Sequence, residues 1–248
     1  MTNKQFIVVG AQRSGTTYLY TLLDEHPEIC MAKPVKPEPK YFLQDNINLD
    51  EYYGKYYKNC SSKTKIFGEK STSYYENEKI AQKIATKLPQ CKIIFILANP
   101  IDRAISNYKF SYENGLEKRT IEEVFLEEKE LNKLQYKTSV NPFAYKERGL
   151  YHKYLEYYST YFPKENIKII IKENFTGNIE SIQDLYHFLE IDSDFTPQSF
   201  NQIINKSKNI LPSSSLLKVR KRLTSYYQES NQVLIDKYGL DIDKWNFL

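Results

Sequence analysis

The chain has 248 residues, 41% hydrophobic and 27% charged, with a formal net charge of +4. That profile excludes a disordered or fibrous chain and leaves room for one sizeable α/β core, read as a single domain over residues 1–248. The modest positive balance suits an anionic ligand, but the lysines are scattered and form no stripe of the kind nucleic acid requires.

Residues 1–6 lead into a short apolar segment with no signal-peptide pattern. No apolar run approaches the ~20 residues of a membrane span, so the expected location is the cytoplasm. Residues 6–9 are apolar, end at Gly10, and predict a buried parallel strand. A helix follows, with Leu19, Leu22 and Leu23 on one face and Pro27 as its stop. Residues 65–68 predict a weaker strand, and 78–88 a helix with Ile80, Ile84 and Leu88 on one side. Residues 91–97 (CKIIFIL) are apolar throughout and predict a central strand; 168–171 (KIII) predict another buried one. Further helices are expected at 101–113, 120–133, 147–162, 179–189 and 214–238, with a polar loop at 201–215. Strands alternating with helices imply parallel βαβ units, hence a three-layer α/β fold with a central parallel sheet flanked by helices.

Three cysteines with no C-x-x-C spacing argue against a disulfide framework and a Cys-rich metal site. His26, His152 and His187 have no metal-ligand spacing either, so no metal is expected. The 22 tyrosines fit either an aromatic groove for carbohydrate or a general bias towards Lys, Asn, Ile, Tyr and Phe.

Residues 10–17, Gly-Ala-Gln-Arg-Ser-Gly-Thr-Thr, lie between a predicted strand and a predicted helix. Backbone N–H groups converge in such a turn and the helix N-terminus adds partial positive charge, so the loop can cradle a phosphate. A nucleoside-triphosphate loop carries lysine where Thr16 stands; here the basic side chain is Arg13, inside the loop. The lysine that reaches the β- and γ-phosphates is therefore missing, and the strand ending Ile96-Leu97-Ala98-Asn99 offers no acidic group for magnesium. Both features disfavour a kinase.

The segment FIVVGAQRSGTTYLYTLLDEHPEI resembles the 5′-phosphosulfate loop and following helix of the sulfotransferases that use 3′-phosphoadenosine 5′-phosphosulfate (PAPS), particularly the carbohydrate branch. FILANPIDRAISNY, residues 95–108, is similar to that family's strand, loop and helix at the donor's 3′-phosphate. Weaker matches are Gly68-Glu69-Lys70-Ser71, Arg148-Gly149-Leu150-Tyr151 and Lys206-Ser207-Lys208. The resemblance implies a P-loop-like fold and transfer of a sulfuryl group from PAPS to a hydroxyl or amine of a saccharide or glycolipid. Adenosine 3′,5′-bisphosphate would be the other product, with no metal ion.

On that resemblance the donor site comprises Gln12, Arg13, Ser14, Gly15, Thr16 and Thr17 for the 5′ end. Ser106, Arg103, Tyr151, Lys206 and Lys208 are the candidates for the rest of the nucleotide. Arg13 and Lys70 would stabilise charge in an in-line displacement. Glu38, in Lys36-Pro37-Glu38-Pro39-Lys40-Tyr41-Phe42, matches the family's base, and the nearby Lys33, Lys36 and Lys40 would favour its carboxylate form. Lys40 stands where relatives often carry histidine. Ala98 stands where they carry the 3′-phosphate arginine, a loss of roughly 1.5–3 kcal/mol of charged hydrogen bonding. Three explanations stay open for Ala98: replacement by Arg103, Lys206 or Lys208, weak donor binding, or a non-catalytic nucleotide-binding relative. Segments 44–63 and 116–146 match no pattern and are the expected seat of acceptor recognition.

Overall fold

The computed structural model describes residues 4–128, 139–201 and 212–245. In chain order the strands are β1 (Gln5–Gly10), β2 (Ile29–Met31), β3 (Ile66–Lys70), β4 (Lys92–Leu97) and β5 (Ile167–Ile171). The helices are α1 (Thr16–Asp24), α2 (Leu49–Tyr56), α3 (Glu78–Lys87), α4 (Pro100–Glu113), α5 (Ile121–Phe125), α6 (Tyr151–Ser159), α7 (Lys172–Phe175), α8 (Ile179–Leu189) and α9 (Ser213–Tyr238). The sheet runs β2-β3-β1-β4-β5 with every pair parallel, the arrangement expected from the alternation of apolar runs and helices. No helix among the described residues is long and apolar enough to cross a membrane.

Where the sequence reads as one domain, the chain divides into two compact units, residues 1–97 with 154–204 and residues 98–153 with 205–248. Each unit draws on two separated stretches, so no composition shift along the chain marks the division.

The first unit contains the sheet. Phe6 and Val8 of β1 and Ile94 and Ile96 of β4 alternate onto one face, where Leu19, Leu22 and Leu23 of α1 and Ile182, Leu185 and Leu189 of α8 cover them. Each such buried side chain contributes about 1.5–3 kcal/mol. The opposite alternation puts Gln5 and Glu69 among the buried tyrosines Tyr52 and Tyr57. In the second unit, Ile101, Ala104, Ile105 and Tyr108 of α4 pack with Ile121, Val124 and Phe125 of α5 and with Val219, Leu223 and Tyr227 of α9.

Several expectations need correction. β2 was not anticipated: three residues are too short for a period to show. α2 lies inside the segment that matches no pattern, and its N-terminal signal is Asn48, whose Oδ1 accepts from the N–H groups of Asp50 and Glu51. β5 is an edge strand, buried only at Ile170 and Ile171. The helix expected at 120–133 ends at Phe125, with residues 129–133 outside the described residues. The helix expected at 147–162 is broken at Leu150, whose ψ of 65° separates a turn at Glu147–Gly149 from α6. Cys30 and Cys60 form a disulfide with Cα atoms 5.4 Å apart, and Cys91 remains as a buried thiol. An odd count rules out complete pairing, not a single bridge.

Tyrosine abundance is largely structural. Tyr52, Tyr57, Tyr74, Tyr108, Tyr145, Tyr151, Tyr158, Tyr186 and Tyr227 are all buried. Their hydroxyls bond inward, as in Tyr158 to the Tyr74 carbonyl at 3.0 Å and Tyr108 to the Arg119 carbonyl at 2.8 Å.

Candidate active site

β1 delivers the chain to Gly10, where a Cβ would stand 2.7 Å from Cδ2 of Tyr75; only glycine fits there. The turn is then pinned by the Ala11 N–H to the Ile96 carbonyl at 2.8 Å and by the Ser14 N–H to the Ala11 carbonyl at 3.2 Å. Arg13 and Gly15 take left-handed conformations, with φ of 67° and 90°. Gly15 is the N-cap of α1 and, lacking a side chain, caps none of the helix's first N–H groups. Ser14 is fully enclosed, and its Oγ has no hydrogen-bond partner. Arg13 and Thr17 are half-buried and Thr16 is buried. An uncapped helix start beside an orphaned hydroxyl is a ready acceptor of an anion, and the 5′-phosphate of the nucleotide anticipated from sequence fits these donors.

Lys70 ends β3 and is the register partner of Val8, two residues before Gly10. Its Nζ lies 2.6 Å from Oε1 of Glu38. Glu38 also accepts from Thr72, through the backbone N–H at 2.9 Å and through Oγ1 at 3.0 Å to Oε2. The loop carrying Glu38 is stitched to the turn after β3: the Lys40 N–H donates to Ser71 Oγ at 2.9 Å and the Phe42 N–H to the Tyr74 hydroxyl at 2.9 Å. Tyr56 of α2 reaches the Pro39 carbonyl at 3.2 Å. Glu38 therefore meets a cation, Lys70, that was not among the sequence neighbours named as its partners. Lys33 pairs with Asp24 at 2.5 Å and Lys36 points into solvent.

Behind this pair, on the other face of β3, Glu69 is completely buried and accepts from the Tyr52 hydroxyl at 2.5 Å. Burial pushes its carboxyl pKa up, hydrogen bonds from Ser71, Tyr52 and Tyr74 oppose that, and the charge of Glu38 adds to it. Sequence reasoning passed over Glu69 and Thr72. Glu69 left a signal, its place in the Gly68-Glu69-Lys70-Ser71 match; Thr72 left none.

The remaining candidates belong to the second unit. Asn99 caps α4, its Oδ1 accepting from the Ile101 N–H at 2.9 Å, and Ser106 is half-buried on that helix. Ala98 is buried and its carbonyl receives the Tyr151 hydroxyl at 2.8 Å, so that hydroxyl is committed to the backbone. Arg103 is 1% exposed; its terminal nitrogens go to the Tyr145 carbonyl and to Asn107 Oδ1. That leaves it poorly suited to stand in for a phosphate-binding arginine. Lys206 and Lys208 lie outside the described residues.

The model of the family described as "Sulfotransferase domain" matches residues 3–210. The chain is 26% identical to the membrane-associated sulfotransferase kil1 of Dictyostelium discoideum, an alignment covering 97% of this chain and 66% of that protein. It is 27% identical to the human bifunctional heparan sulfate N-deacetylase/N-sulfotransferase 3, over 97% of this chain and 31% of that protein. This chain thus spans about two thirds of the first relative's length and under a third of the second's. A sulfotransferase from Alicyclobacillus acidocaldarius superposes with a TM-score of 0.78 at 23% identity, covering 99% of both chains, and so shares the fold. Matched across most of its length, the chain belongs to the sulfotransferase-domain family.

Proposed function

We propose that this chain is a sulfotransferase that takes PAPS as donor and a hydroxyl or amine of a saccharide or glycolipid as acceptor. The observation that carries the reading is the Glu38–Lys70 pair at the end of β3, beside the strand whose own end forms the anion-receptive loop. Bound PAPS supplies a sulfuryl group bridged to its 5′-phosphate, so transfer leaves adenosine 3′,5′-bisphosphate. Ser14, Thr16 and Thr17 offer N–H and hydroxyl donors to that phosphate, and Arg13 adds a fixed positive charge inside the loop. Glu38 takes the proton that the acceptor O–H or N–H gives up. Protonation removes the charge that holds Lys70, and its ammonium becomes available to the oxygens where negative charge accumulates. The saccharide class is supported by the heparan sulfate relatives and by a glutamate in the base position.

A cytoplasmic location belongs to the same proposal with one condition. Disulfides persist in oxidising surroundings, so in a reducing cytoplasm Cys30 and Cys60 would be thiols.

The test is transfer of labelled sulfur from PAPS to a panel of glycans. Glu38→Gln should cut turnover by at least about 100-fold while bisphosphate affinity stays within about twofold; turnover that survives removes Glu38 from the role of base. A second reading, a nucleotide-binding relative without transfer activity, is favoured by Ala98 and by the internal commitment of Arg103. It predicts saturable bisphosphate binding with no label leaving the donor on any acceptor.

A further inference from the structure

The phosphate loop has threonine where a nucleoside-triphosphate loop has lysine, yet a lysine from elsewhere in the chain lies against it. Lys172 is the first residue of α7, directly after β5, and Ile171 before it is the register partner of Leu97 on β4. It therefore stands at the same sheet edge at which β1 opens into the loop. Its Cγ and Cδ lie 3.5 Å from where a Cβ on Gly15 would be. Gly15 has no side chain, so nothing at that position keeps the lysine stem from the turn. Gly15 is also the N-cap of α1, next to the orphaned Ser14 Oγ.

The ammonium lies two bonds beyond Cδ. Among the described residues Lys172 Nζ has neither a hydrogen bond nor an ion pair. Other lysines of the sheet are committed: Lys70 to Glu38, Lys92 to Glu190 and Lys168 to Asp184. A half-buried cation with no anion among the described residues, its stem against an anion-receptive turn, is poised for a ligand's negative charge.

We propose that Lys172 is a donor-binding residue, its ammonium meeting the 5′-phosphate gripped by residues 10–17. The lysine absent from the loop itself is supplied by the neighbouring end of β5. The inference rests on the sulfotransferase reading for the identity of the nucleotide, but concerns a side chain that reading does not require.

The experiment is calorimetric titration of wild type, Lys172→Met and Lys172→Arg with adenosine 3′,5′-bisphosphate and, separately, adenosine 5′-monophosphate. Methionine keeps the stem against Gly15 and removes the charge. It should weaken both nucleotides by a similar factor, about tenfold, while arginine stays within about threefold of wild type. Lys172→Gln serves as a second neutral variant should the methionine protein melt differently from wild type. Unchanged affinity in the neutral variants overturns the proposal, and so does a loss confined to the bisphosphate, which would assign the cation to the 3′ end. Wild type that binds neither nucleotide would overturn the sulfotransferase reading as well.

Discussion

Glu38 and Lys70, 32 positions apart in the chain, meet side chain to side chain at 2.6 Å. Lys70 is 6% exposed and Glu38 15%, so each is the other's main answer to lost hydration.

Removing one partner should therefore cost more than removing both. A fully buried pair costs about 3–5 kcal/mol when halved, and the residual exposure of Glu38 lowers this to about 2 kcal/mol for Lys70→Met. Urea denaturation of the two single variants and of Glu38→Gln/Lys70→Met should give a coupling of about 1–2 kcal/mol, the double variant recovering part of the loss. Strict additivity would mean that the two groups do not depend on each other.

Gly10→Ala tests the loop by sterics alone. The added Cβ would meet the Tyr75 ring at 2.7 Å, and that ring is 1% exposed and has nowhere to go. We expect a loss of about 1–3 kcal/mol in thermal stability, with weaker bisphosphate binding, and partial recovery on adding Tyr75→Leu. Full stability and affinity in the single variant would show that β1 does not meet Tyr75 at that distance.

Glu69 makes stability depend on pH. Its folded-state pKa lies above the ordinary 4.5, chiefly because it is buried, so the native state holds a proton that the unfolded state releases. Its contribution is therefore fully present below about 4.5 and declines as pH rises from there through the raised folded value. Glu69→Gln, neutral at every pH, should gain on wild type in melting temperature as pH increases from 4.5 to 7. A difference independent of pH would refute a raised pKa at this site.

The Cys30–Cys60 bridge closes a stretch that contains Glu38, Lys40 and α2. Native oxidised protein should show no reactive thiol, since Cys91 is buried, and one after denaturation. Reduction should yield three, and Cys30→Ser/Cys60→Ser should lower stability by about 2–4 kcal/mol. Three thiols in denatured, unreduced protein would mean that the bridge does not form.

Local features were legible in the chain. The apolar runs of β1 and β4 and the glycines of the loop act within a few residues of themselves, so reading in order recovers them. β2 and α2 escaped for opposite reasons. β2 is shorter than any period. α2 packs Tyr52 and Tyr56 rather than aliphatic residues, which resembles solvated surface until burial is known. Arg103 and Tyr151 were read as ligand-binding because they lie in matching motifs; only packing shows them turned to the Tyr145 and Ala98 carbonyls.

The sequence alone determined the parallel α/β architecture, the anion-receptive loop and the family resemblance, because strand hydrophobicity and turn geometry are properties of contiguous residues. Tertiary structure decided what each charge faces: Lys70 rather than Lys36 for Glu38, Gly15 for Lys172, tyrosines for Glu69. Coulomb and hydrogen-bond energies depend on distance in space, and adjacent strands of a parallel sheet bring together residues that the chain holds tens of positions apart.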